Sequence, residues 1–132
     1  MGMKKVFLIL VSVVTICLTA CGNSQPKSTL KFIEGKKVTI SETEYVGVFF
    51  NFANNTGETV IPADEIDVKA FQNGTELNVI VYSGEEVEDA IQCDTSVQTG
   101  TTAKVVWTFE IQDNSKVSVE CSDGKKFEFE IE

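Results

Sequence analysis

The most reactive side chains in this 132-residue chain are four cysteines, Cys17, Cys21, Cys93 and Cys121. Nothing in the sequence can activate a nucleophile in the usual way. There is no His, which removes His-based triads, general bases and imidazole metal ligands. All 11 basic residues are Lys, so guanidinium clamps on phosphate are also absent. The spacing Ser-x-x-Lys occurs at Ser24/Lys27, Ser28/Lys31 and Ser122/Lys125. A Ser-Lys acyl-transfer site needs that spacing on a buried helix with Ser-Asp-Asn and Lys-Thr-Gly partners, and neither partner motif is present. Acidic residues cluster at Asp64, Glu65 and Asp67 and again at Glu85, Glu86, Glu88 and Asp89. Hard cations need several oxygens in fixed geometry, but no Asp-x-Asp-x-Asp-Gly loop occurs, so these clusters read first as solvated surface. No catalytic residue, cofactor or metal is expected. With a net charge of −9 and no Arg, nucleic acid is not expected as a partner.

Residue 21 stands apart because of what precedes it. Lys4 and Lys5 are followed by an apolar run, Val6 to Leu18, interrupted only by Ser12 and Thr15. A membrane-spanning helix needs about 20 apolar residues, so this run suits the core of an export signal better. It closes on Leu18-Thr19-Ala20-Cys21, which resembles the bacterial lipobox, an aliphatic and two small residues before a Cys. The resemblance implies cleavage before Cys21 and attachment of diacylglycerol to its thiol. The expected division is a signal peptide at 1–20, a lipidated Cys and flexible tether at 21–30, and a folded domain at 31–132. Two lysines leave with the signal, so the charge of −9 becomes −11. Cys17 leaves too. Cys93 and Cys121, 28 positions apart, then remain outside the membrane, where disulfides are permitted. A bridge between them is expected, worth roughly 3 kcal/mol by chain entropy. The alternative is a pair of buried free thiols.

The elements that position these residues are strands. From Cys21 on there are 13 Val, 8 Ile, 11 Thr and 8 Phe against 5 Ala, 2 Leu and no Met, a composition that favours strand over helix. Alternation predicts strands at 37–41, 45–53, 66–72, 75–82, 102–111, 116–121 and 125–132. Their inward faces are Val46/Val48/Phe50/Phe52, Ile66/Val68/Ala70, Val105/Trp107/Phe109/Ile111, Val117/Val119/Cys121 and Phe127/Phe129/Ile131. Asn73-Gly74 predicts a tight hairpin. Asn54-Asn55-Thr56 and Asn73-Gly74-Thr75 match the glycosylation sequon but read as turn chemistry. The acidic segment 84–91 reads as a loop or one helical turn. Seven or eight short alternating strands predict an all-β, antiparallel sandwich, with a barrel as the alternative.

Five pieces occur together: Phe52-Ala53-Asn54-Asn55-Thr56, Phe71-Gln72-Asn73-Gly74-Thr75-Glu76-Leu77, the Gly100 turn, Val105-Val106-Trp107-Thr108-Phe109-Glu110 and Val117-Ser118-Val119-Glu120. With them, residues 45–121 resemble the immunoglobulin-like domain of a family of unknown function found in secreted lipoproteins of Gram-positive bacteria. The resemblance implies an immunoglobulin-like sandwich and no established activity. Where this family more often has Pro-Gly before the long strand, this chain has Thr99-Gly100. Tyr45, Phe49 and Phe71 fall out of phase with the inward faces; they form an apolar binding patch if left open, but the adjacent Phe49-Phe50 pair favours a central strand covered on both faces. The expected protein is a lipid-anchored module on the outer face of the cell membrane that binds a protein or small ligand without catalysis. A structural or accessory subunit of an envelope complex is the alternative, and a Ca²⁺-binding domain a more distant one.

Overall fold

The structure is a computed structural model, and it describes residues 27–82 and 84–131. The described residues form nine strands and one short helical turn: β1 (Thr29–Ile40), β2 (Thr43–Ala53), α1 (Pro62–Glu65), β3 (Val68–Gln72), β4 (Thr75–Glu76), β5 (Val79–Ile80), β6 (Ile91–Gln92), β7 (Thr102–Glu110), β8 (Val117–Cys121) and β9 (Lys126–Phe129). They make two sheets, one ordered β9-β8-β3-β4 and the other β1-β2-β7-β5, with β6 also on β7. Pairing is antiparallel apart from β6 on β7. The expected all-β sandwich is the fold found, and apolar side chains from the two sheets fill the space between them.

The expected inward faces hold throughout. Val46, Val48, Phe50, Phe52, Val105, Trp107, Phe109, Val117 and Val119 all lie in the main core. Phe50 meets Trp107 edge to face, with ring centroids 5.4 Å apart, the arrangement aromatic quadrupoles prefer.

The first strand corrects the expected boundary. The tether was expected to reach residue 30, yet β1 starts at Thr29 and Leu30 is only 1% exposed. A bulge explains why the pattern hid this half of the strand. Phe32 faces Phe50 and Glu34 faces Phe49, so Ile33 is an extra residue. Leu30 and Phe32 point into the main core before it, whereas Val38 and Ile40 point to the opposite face after it. One inserted residue therefore reverses the alternation. Gly35 is the first core-side residue beyond the bulge, and a Cβ there would lie 2.2 Å from the ring of Phe129 on β9.

The Asn73-Gly74 hairpin forms as expected, with φ of 54° and 79°. Its return strand does not continue to 82. Thr75–Glu76 pairs with β3, Leu77 turns into the core, and Val79–Ile80 joins β7 in the other sheet. The one helical turn among the described residues is Pro62–Glu65, not the acidic segment.

Candidate functional site

Two amide side chains act as turn clamps. Asn54, the residue after β2, is fully buried. Its Nδ2 donates to the carbonyls of Glu58 (2.7 Å) and Val97 (2.8 Å), and its Oδ1 accepts from the backbone N–H and hydroxyl of Thr56. Every hydrogen-bonding position on that side chain is thus used. The Asn-Asn-Thr sequon serves as turn chemistry here, as the sequence suggested. Asn73 Nδ2 reaches Asp113 Oδ2 at 2.9 Å. Bonds from the Ser115 hydroxyl, from its backbone N–H and from Asn73 hold the Asp113 carboxyl below its ordinary range.

The acidic segment does something the sequence did not reveal. It crosses the outer face of the five-stranded sheet and buries Val87 and Ala90 against Val38, Ile40, Phe49 and Val106, a second and separate apolar cluster. Phe49 is therefore 0% exposed: of the two readings of Tyr45, Phe49 and Phe71, the strand covered on both faces is the one found, and the open patch is not formed. Tyr45 and Phe71 are half-buried. Lys36 Nζ and Lys104 Nζ sit 5.6 Å and 5.2 Å from the centroid of the Phe49 ring. Glu88 ties both lysines. Its carboxylate pairs with Lys36 at 2.5 Å, and its carbonyl accepts from Lys104 at 3.1 Å. The Glu88 bond raises the Lys36 pKa. Tyr45 and Tyr82 close the end of the segment through a hydroxyl–hydroxyl contact of 2.5 Å, which pushes the Tyr82 hydroxyl upward. Gln92 Oε1 and Thr108 Oγ1 are buried without a hydrogen-bond partner among the described residues. Among the described residues, no three acidic or thiol side chains gather into a metal-binding group.

The two thiols are a correction to the sequence reading. Cys93 and Cys121 are both buried and both free, so the expected bridge is not made. They come from different sheets: Cys93 follows β6 beside β7, and Cys121 ends β8 opposite Val68. Burial, helped by Asp94, pushes the Cys93 thiol up to about 12. Burial, helped by Asp123, pushes Cys121 to about 11. The nucleophilic thiolate is suppressed at both positions. Cys21, Lys4, Lys5 and Ser24 lie outside the described residues.

The remaining Ser-x-x-Lys pairs are occupied elsewhere. Ser28 Oγ donates to Glu65, and Ser122 Oγ accepts from the Asp67 N–H. Lys125 Nζ donates to the Leu30 carbonyl at 2.7 Å, covering an acceptor on the free side of β1. The clefts are open ones on the sheet surfaces. One of about 450 Å³ lies over Ser118, Glu120, Lys126 and Glu128. Two others share Glu110 and Ile111, one reaching to β4 and Asn78 and the other to Thr43–Tyr45 at the start of β2.

Residues 26–123 match a family described as a domain of unknown function, DUF5067. The chain belongs to this family. The DUF5067 match spans both amide clamps, the acidic cover and both thiols, and it stops short of β9. No curated protein and no solved structure matches the chain.

Proposed function

We propose that this DUF5067 protein is a lipid-anchored protein of the outer face of the cell membrane, whose immunoglobulin-like sandwich is a non-catalytic interaction module. The observation that carries the reading is the order of its pieces. A basic start and an apolar run close on Leu18-Thr19-Ala20-Cys21, a few small polar residues follow, and a sandwich begins at Thr29. Acyl chains on Cys21 would supply firm anchoring, each buried methylene contributing about 0.8 kcal/mol. Repulsion between a strongly acidic domain and anionic headgroups would hold the domain off the membrane.

A protein fits better than a small ligand as the partner. Small-molecule sites are usually enclosed and largely apolar, whereas the clefts here are open and charged at their margins. An accessory subunit of an envelope complex is the narrower form of the same reading. Mass spectrometry of the N-terminal peptide from the membrane fraction tests the anchor: a diacylglyceryl Cys21 is expected, and an unmodified Cys21 there overturns it. Pull-down from solubilised membranes tests the module. A stoichiometric envelope partner supports it, and recovery of the bare chain under mild extraction counts against it.

A further inference from the structure

The five-stranded sheet is unfinished at one edge. The strand order ends at β5, and among the described residues no strand pairs with its outer side. Val79 is paired with Phe109, a main-core residue, so register puts Val79 on the core side of the sheet; Val81 lies just past the last paired residue, Ile80. Yet Val79 is 51% exposed and Val81 41%. Valines left open to water at a free strand edge are what remains when a neighbouring strand is missing.

The charge around this edge has one sign. No lysine occurs between Lys69 and Lys104, and that stretch builds β4, β5 and β6. The cleft that runs past Asn78, the residue before β5, carries Glu76 and Glu110 and no lysine.

We infer that the β5 edge is a docking site for an extended partner segment that alternates aliphatic residues with Lys or Arg and adds as a further strand. Backbone pairing would supply affinity, the aliphatic side chains would cover Val79 and Val81, and the basic ones would answer Glu76 and Glu110. The inference rests on the interaction-module reading and names its surface.

The probe is a blocked peptide of alternating valine and lysine, titrated into the ¹⁵N-labelled full chain and followed by amide shifts. Perturbations are expected to centre on Val79–Tyr82. The same peptide N-methylated at alternate amides keeps its charge but cannot pair, and is expected to bind about tenfold more weakly, a difference of 1.4 kcal/mol. A double variant, E76Q/E110Q, with an unchanged melting temperature, is expected to weaken the unmethylated peptide by a similar factor and to flatten its salt dependence. Equal binding of both peptides would mean nonspecific charge attraction and would overturn strand addition. Shifts confined to another surface would overturn this site while leaving the interaction-module reading standing. Edge shifts that depend on protein concentration without peptide would assign the edge to a second copy of the chain and also overturn the proposal.

Discussion

Gln72 closes the β7–β8 turn from inside the protein: its Nε2 donates to the Asp113 carbonyl at 3.0 Å, and its Oε1 accepts from the Asp113 N–H at 3.3 Å. The same amide also donates to the Ser115 carbonyl at 2.8 Å and accepts from the Gln112 N–H at 2.8 Å. Gln72 is 1% exposed, so a polar side chain in the core holds a surface turn in place. Asn73, its neighbour, grips the same turn from outside through Asp113 Oδ2. The Gln-Asn-Gly sequence is therefore both a hairpin and a clamp between hairpins.

Gln72→Leu keeps the volume and removes all four bonds. Net hydrogen bonds contribute about 1 kcal/mol each, and backbone groups left dry cost more, so a loss of about 2–4 kcal/mol is expected. Urea unfolding followed by Trp107 fluorescence would measure it. A loss under about 0.5 kcal/mol would mean that water replaces the clamp without penalty.

At Gly35 the expected outcome depends on a second residue. Gly35→Ala drives a Cβ into the Phe129 ring, and overpacking of this kind costs about 1–3 kcal/mol. Phe129 also packs near Phe32, with centroids 6.2 Å apart, so it cannot swing away without losing contact. In a Phe129→Ala background the Gly35→Ala cost should largely vanish. Additive losses in the double-mutant cycle would show that the ring and the glycine are not coupled.

Two turns use left-handed backbone without glycine. Ser41 and Glu42, between the paired Ile40 and Thr43, have φ of 50° and 68°. Both central residues of such a hairpin turn favour Asn-Gly. Replacing Ser41-Glu42 with Asn-Gly should stabilise the domain by about 0.5–1 kcal/mol, the relief of left-handed strain less the added chain entropy of glycine. The midpoint of urea unfolding should rise with an unchanged slope. No rise would mean that the strain is already balanced by contacts of the Glu42 side chain.

Most of the core was legible because period-two alternation survives in β2, β3, β7, β8 and β9. It failed where physics other than alternation decides. Ile33, a single inserted residue, shifts β1 out of phase, so Leu30 and Phe32 looked like the end of a tether. That Phe49 is covered is legible from the adjacent pair Phe49-Phe50, which requires apolar cover on both faces of one strand. What covers it is not, because Val87 and Ala90 lie in acidic surroundings that carry no apolar period. The disulfide expectation came from compartment and count. Neither says whether two thiols from different sheets meet in the right geometry. Leu77 and Val79 switch sheets within one predicted strand, which no local pattern announces.

The free thiols make the domain sensitive to alkali in a defined direction. Cys93 is pushed up to about 12 and Cys121 to about 11 in the folded protein, against about 8.5 for an exposed thiol. Between these values the unfolded chain has released the thiol protons and the folded chain has not. The unfolded state then binds fewer protons, so stability falls as pH rises. Each thiol adds a slope of up to about 1.4 kcal/mol per pH unit above pH 9, fading near 11 for Cys121 and near 12 for Cys93. Cys93→Ala is expected to lower stability at pH 7 by leaving a small cavity, and to flatten the decline between pH 9 and 12 relative to the unmodified chain. Comparing the two proteins across that range cancels the shared titration of lysines and tyrosines. A thiol-specific reagent should also label neither thiol at pH 7 until denaturant is added. Parallel pH profiles for the two proteins, or rapid labelling of the folded chain, would show that Cys93 does not sit in the dry environment the structure gives it.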